Sequence, residues 1–276
     1  MKTLSENRAF GGVQGVYTHA SDACGCDMTF GLFLPPEAQD DPVPVLWYLS
    51  GLTCTHENAM AKAGAQRWAA EAGIALVFPD TSPRGAGVAD DDAFDMGQGA
   101  GFYVNATQAP WLPHFRMWDY ITDDLPRVLF NAFPVDEARQ AITGHSMGGH
   151  GALTVAMAFP GRFVSVSAFA PIANPTASDW GRRQFSAYLG PDEAKWAAHD
   201  ATLMMRKRGF DGPVLIDQGT SDQFLDLLMP EALAEAIAHR RQPATLRLQK
   251  GYDHSYFFIA SFMEDHVNFH ADALFQ

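Results

Sequence analysis

The chain is short of cysteine, of positive charge and of long apolar runs, and each shortage removes a class of protein. Its three cysteines, Cys24, Cys26 and Cys54, are odd in number and too few to frame a disulfide-stapled fold, which fits a reducing compartment. Cys24-Gly25-Cys26 offers two zinc ligands at most, whereas a structural site takes about four, so no metal is expected. Lys and Arg total 19 against 32 Asp and Glu, a formal charge of −13. That balance argues against a nucleic-acid partner, which needs a basic face. It names no substrate, because net charge speaks to solubility more than to the potential inside a cleft. No apolar run approaches the roughly 18 residues of a membrane span. The polar start, Met1-Lys2-Thr3-Leu4-Ser5-Glu6-Asn7-Arg8, carries no secretory apolar core. The expectation is a soluble, cytoplasmic protein.

What the chain does have is apolar mass and alternation. With 47% hydrophobic residues and 20 phenylalanines among 276 residues, it can bury a large core. No linker, charge block, repeat or low-complexity tract divides it, so residues 1–276 read as a single domain. Strand-like and helix-like segments alternate, which implies an α/β fold, a mostly parallel central sheet with helices on both faces.

An antiparallel pair, about Val13–Thr18 and Met28–Leu34, is expected to feed that sheet. Strands follow at Val43–Leu49 and Ile74–Phe78, with a helix Asn58–Ala72 between them that Gly73 can cap. The glycine- and aspartate-rich segment from Pro79 to about Pro113 is long for a connection, and such loops are often functional rims or lids. A helix near Met117–Phe130 leads to the strand before Gly144. The next helix runs to Phe159, where Pro160-Gly161 stops it, and Val164–Phe169 is a strand. Residues 173–212 lack a strong strand and are expected to form a small helical cap. Val214–Gln218, a helix Pro230–His239, strand Leu246–Gln249 and a helix of about Tyr256–Ala273 complete the pattern.

Within it, Gly144-His145-Ser146-Met147-Gly148 sits between a short apolar run and a small-residue helix. This is the nucleophile-elbow pattern in the strand-turn-helix context that gives it meaning: a strained turn lifts the serine hydroxyl clear of the sheet. Five residues alone are weak evidence of chemistry. The order Ser, then acid, then His is the stronger test. Asp222 follows the strand Val214–Gln218 and the turn Gly219-Thr220-Ser221, and His254 follows Leu246–Gln249 and Gly251-Tyr252-Asp253. Both therefore leave the C-terminal ends of strands, where open α/β sheets place their sites.

In that arrangement His254 takes the proton of Ser146 and returns it to the leaving group, while Asp222 holds the imidazole tautomer. The negative oxygen of a tetrahedral intermediate needs backbone N–H donors. The residue after the nucleophile, Met147, is one candidate. Leu52, in the loop Leu49-Ser50-Gly51-Leu52-Thr53 after an earlier strand, is the other, since Gly51 lets that backbone turn toward the serine. Rivals are weaker. Asp217 lies inside its strand and Asp226 beyond the loop, and His145 and His150 flank the nucleophile too closely. His266 and His270, spaced i, i+4, lack the glutamate of a zinc motif and read as an exposed helix face. Asp90–Asp92 reads as a solvated acidic loop, not a calcium site.

Longer blocks make the chain resemble the S-formylglutathione hydrolases of the esterase D family. They are Trp47-Tyr48-Leu49-Ser50-Gly51-Leu52-Thr53-Cys54-Thr55, Lys62-Ala63-Gly64-Ala65-Gln66-Arg67, Pro79-Asp80-Thr81-Ser82-Pro83-Arg84-Gly85 and Gly99-Ala100-Gly101-Phe102-Tyr103-Val104. They continue through Gly144 to Gly151, Ser167 to Ile172, Asp217 to Thr220 with Asp222 to Leu225, and Gly251 to Ser255, so they are spread over nearly the whole chain. The resemblance implies an α/β-hydrolase fold, a metal-free triad on Ser146, Asp222 and His254, no cofactor, cytosolic location and frequent homodimers. It also implies hydrolysis of S-formylglutathione to formate and glutathione in formaldehyde detoxification, through a formyl-serine, with carboxylesterase side activity.

His56 is a departure, since relatives often carry an acidic residue near it. Cys54 resembles a family cysteine whose modification impairs activity, and also reads as a small packed side chain. Trp180 and Arg84 are candidates for lining the glutathione groove. On the residues alone a broader carboxylesterase or acyltransferase, or a non-catalytic module on the same scaffold, stays open.

Overall fold

A computed structural model describes all of residues 1–276. Nine strands form one sheet in the order β1-β2-β3-β5-β4-β6-β7-β8-β9. In chain order they are β1 Lys2–Ala9, β2 Gly12–Ser21, β3 Cys26–Leu34, β4 Val43–Leu49, β5 Ala75–Pro79, β6 Val135–Gly144, β7 Phe163–Phe169, β8 Val214–Gly219 and β9 Ala244–Gln249. The three N-terminal strands are antiparallel, and from β5 to β9 every pairing is parallel. β4 and β5 are buried at every position, as strands covered on both faces must be, and their sequences are correspondingly unbroken apolar runs.

Two helical layers cover the sheet. Helix Tyr256–Leu274 packs on β6 and β7 beside Ala65–Ala72. Helix Met147–Ala158 packs on the same strands in the other layer, against Ala201–Lys207, which in turn meets Pro230–Arg240. Residues 173–212 carry helices Asp179–Leu189, Glu193–Trp196 and Ala201–Lys207. No helix is long and apolar enough to cross a membrane.

Register sets up the site. Leu49 pairs with Gly144 and Phe169 with Asp217, while Gly219 pairs with Gln249. The loops after β4, β6, β7, β8 and β9 therefore emerge along one edge of the sheet.

Among the elements, the structure departs from the sequence reading at β1 and in two of the helices. β1 was not expected: it is exposed along almost its whole length, so it carries no hydrophobic alternation. The single helix over 58–72 is two, His56–Lys62 and Ala65–Ala72, parted by Gly64 at φ 70°. The helix near 117–130 contains a π-helical turn at Tyr120–Asp124, where buried Asp124 accepts from the Ser21 hydroxyl and the Ala23 N–H.

Candidate active site

Ser146 stands between β6 and helix Met147–Ala158 with φ 57° and ψ −120°, a left-sided conformation that a serine adopts only under constraint. The constraint is visible. Its N–H donates to the Phe169 carbonyl at 2.9 Å, its carbonyl accepts from Ile172 and His150, and the His145 N–H donates to the Leu49 carbonyl at 3.0 Å. Close packing does the rest: a Cβ on Gly148 would lie 2.0 Å from the Leu49 carbonyl oxygen, so only glycine lets the helix start this near β4.

Asp222 and His254 meet directly, with Nδ1 of His254 2.6 Å from Oδ2 of Asp222. Oδ1 of Asp222 accepts from the Phe224 N–H at 2.8 Å, and Oδ2 also accepts from Gln218 Nε2 at 3.1 Å. His254 reaches the elbow by packing against His145, ring centroids 4.4 Å apart and planes tilted by 47°. The Ser146 hydroxyl makes no hydrogen bond to protein, which leaves it free to turn. In enzymes of this kind the serine–histidine contact often tightens only when substrate is bound. Burial lowers the pKa of His145 well below the ordinary histidine value, with nearby His254 adding to the effect, so the ring packed against His254 is neutral.

The loop after β4 lies beside the elbow. Gly51 packs so closely that a Cβ there would sit 3.1 Å from Ser146 Cβ and 3.2 Å from the His145 carbonyl oxygen. The Leu52 N–H donates to no protein acceptor, and the Met147 N–H opens the helix that follows the serine. The Leu52 loop is pinned from the long segment after β5: Thr53 N–H donates to the Gly99 carbonyl at 2.9 Å, Gly99 N–H to Ser82 Oγ at 2.7 Å, and Tyr103 Oη to the Ser50 carbonyl at 2.9 Å. Thr53, Phe102, Tyr103, Ser146 and Ala170 all have positive φ, so the non-glycine strain in this half of the molecule gathers around the elbow.

Trp180 belongs to the site's surroundings and Arg84 to its frame. The Trp180 ring stacks on Phe224 at 6.4 Å, and Phe224 meets the His254 ring edge-on at 5.1 Å. Its indole N–H is held at 2.6 Å by buried Asp95. Arg84 is committed elsewhere: its Nε bonds both Asp80 oxygens, at 3.0 and 3.1 Å, and its Nη2 donates to the Cys54 carbonyl at 2.8 Å. The Cys54 thiol is buried 3.9 Å from Tyr256 Oη, and burial pushes its pKa up. His56 brings no charge to the rim near neutral pH, because burial lowers its pKa.

The reading of His266 and His270 as an exposed face is overturned, since both are fully buried. Partners on the sheet make that possible. His266 joins Ser167 Oγ at 2.8 Å and Asp217 Oδ2 at 3.2 Å, His270 joins Ser165 and Ser167, and Arg247 closes on both Asp217 oxygens at 2.6 Å. Asp217 is thus spent on this network, away from His254. The roles of Gln218, Asp95 and Tyr103 were missed altogether, because their partners lie at tertiary distance and no local pattern announces them.

The esterase family model matches residues 21–269. Over 273 residues the chain is 69% identical to the S-formylglutathione hydrolase of Paracoccus denitrificans (strain Pd 1222), covering 99% of this chain and 98% of that protein. The chain belongs to the S-formylglutathione hydrolase family of esterases. A solved structure of an S-formylglutathione hydrolase from Agrobacterium tumefaciens superimposes with a TM-score of 0.97 at 48% identity, over 99% of this chain and 100% of that one. A Staphylococcus aureus fluorophosphonate-binding serine hydrolase, 18% identical with a TM-score of 0.76 over 94% of this chain and 98% of that one, shares the fold. The mostly parallel α/β sheet expected from the alternation of elements, and the α/β-hydrolase fold implied by the family resemblance, are the architecture found.

Proposed function

We propose that the protein hydrolyses S-formylglutathione to formate and glutathione through a triad of Ser146, His254 and Asp222. The observation that carries this reading is the 2.6 Å bond from His254 to Asp222, made at the sheet edge where Ser146 stands at the elbow. Near-full-length identity to a protein named for this reaction supports the substrate.

Chemically, His254 Nε2 takes the Ser146 proton as Oγ bonds to the formyl carbon. The N–H groups of Leu52 and Met147 stabilise the oxyanion. The C–S bond then breaks and the leaving glutathione thiolate takes the proton from His254; the neutral His254 next deprotonates a water that adds to the formyl-serine, and collapse returns that proton to Ser146 Oγ as formate leaves. The Trp180–Phe224 stack beside His254 would narrow the acyl side, and a preference for a small acyl group would suit formaldehyde detoxification. The chain works as one α/β-hydrolase domain with 173–212 as its helical cap, as a cytoplasmic homodimer, without metal or cofactor.

The test is a steady-state comparison of S-formylglutathione with larger glutathione thioesters and short p-nitrophenyl esters. The formyl thioester is expected to have the highest kcat/KM. Preference for an oxygen ester or a longer acyl group would overturn the substrate assignment.

A further inference from the structure

Gln218 lies one residue before the end of β8, fully buried, with its side chain reaching forward to the carboxylate at 222. Its Nε2 is 3.1 Å from Asp222 Oδ2 and 3.1 Å from the Gly219 carbonyl oxygen. Both neighbours are acceptors. The amide can therefore stand only with its NH2 toward them, because the flipped form would set oxygen against two oxygens. Its Oε1 is then buried with no donor. A buried acceptor without a partner destabilises a fold, and an apolar side chain of the same length would avoid that cost. As packing, glutamine is a poor choice here. What it secures is one bond to the oxygen that also receives His254 Nδ1. With the Phe224 N–H on Oδ1, three donors fix the plane of the carboxylate.

We infer that Gln218 is a positioning residue for the reaction, whose amide shares Asp222 Oδ2 with His254 and so sets both the aim and the basicity of that histidine. The inference rests on the triad reading above. A carboxylate oxygen that already accepts a neutral donor pulls less strongly on the imidazole proton, so the proton stays on Nδ1 and Nε2 remains the base. Without that donor the carboxylate is free to rotate, and its undivided charge favours the imidazolium. The titratable groups facing this pair are His145, packed against His254 from the β6 turn, Tyr256 beyond His145 on the last helix, and Asp253 next to His254 in its own loop. Asp217, one residue before Gln218, is held on another side by Arg247 and His266.

Gln218→Met keeps the length and removes the donor. Its kcat is expected to fall by roughly 10–100-fold with KM little changed, a positioning loss, and the acid limb of kcat/KM to move to higher pH while the melting temperature does not drop. Gln218→Glu is the rescue: protonated, it can donate to Asp222, and ionised, it opposes it. Its activity relative to Gln218→Met should be high at low pH and decline as pH rises. A Gln218→Met enzyme with parental kcat and pH profile would overturn the inference, as would a lowered melting temperature with kinetics unchanged. The proton resonance of His254 Nδ1–H gives a readout without turnover. It should shift in Gln218→Met, and an unmoved resonance counts against the proposal. If Ser146→Ala stays active while that resonance moves, the triad reading fails but the hold of Gln218 on the Asp222–His254 pair stands.

Discussion

His254 Nδ1 and Asp222 Oδ2 are 2.6 Å apart, and the Asp222 side chain is wholly shielded from solvent while a small part of the imidazole stays open. A buried carboxylate with that single ionisable partner dictates the ring's tautomer. Asp222→Asn would present an NH2 to Nδ1, drive the proton to Nε2 and remove the base. A loss in kcat of about 10⁴-fold is expected, on the scale of the same change in other serine hydrolases. Ser146→Ala should cost about 10⁶-fold. Less than a tenfold loss in either folded variant, measured by S-formylglutathione turnover, would sink the triad.

Gly51 makes the proposed oxyanion loop sensitive to a single methyl group. A Cβ there would press on Ser146 Cβ, the His145 carbonyl and His145 Nδ1 at 3.1–3.3 Å, and the easiest relief is to push the Leu52 N–H away from the serine. Gly51→Ala is therefore expected to lower kcat by roughly 10²-fold, the order of losing one oxyanion donor, with little change in KM. If KM rises and kcat holds, the loop binds substrate and does not stabilise the oxyanion.

The Trp180–Phe224 stack beside His254 should act as a limit on acyl size. Trp180→Ala removes the ring that backs Phe224, which meets the His254 ring edge-on. Since one methylene is worth about 1–3 kcal/mol in a fitted pocket, the ratio of kcat/KM for butyryl over formyl thioester should rise by roughly 10-fold or more. Asp95→Ala, which releases the indole N–H from its 2.6 Å bond, should move the ratio in the same direction by less. An unchanged ratio in Trp180→Ala would show that the wall lies elsewhere.

The placement of the candidate residues was legible where it is local to a strand end. Ser146, Asp222 and His254 each follow a strand, and parallel strands with a common C-terminal edge bring such loops together whatever lies between them in sequence. Packing was less legible where burial depends on distant partners. His266 and His270 looked like a polar helix face because nothing near them reveals Ser165, Ser167 and Asp217 waiting on the sheet. β1 escaped notice for the opposite reason: a strand exposed on both faces has no periodic pattern to detect. Gln218 was hidden by chemistry, since a buried amide becomes informative only once both of its neighbours are known to be acceptors.

Buried histidines should also govern the response to acid. Burial lowers the pKa of His145, His266 and His270, and brings that of His150 to about 4. The unfolded chain takes up protons at these groups below about pH 6.5, whereas the folded chain does not until well below that. The stability they confer is thus fully present above about pH 6.5 and is lost as pH falls through the folded values. His150 alone accounts for a decline on the order of 3 kcal/mol between pH 6.5 and 4. Asp217 acts lower: burial would raise its pKa, but hydrogen bonds from His266 and Arg247 prevail and hold it near 2, so its contribution is lost only below about pH 4. Urea unfolding at intervals from pH 8 to 4.5 should therefore show stability falling from about pH 6.5 onward. His150→Asn, with one fewer proton to take up, should flatten that slope. A protein equally stable at pH 7.5 and 5 would mean that these histidines titrate in the folded state much as they do in the unfolded one.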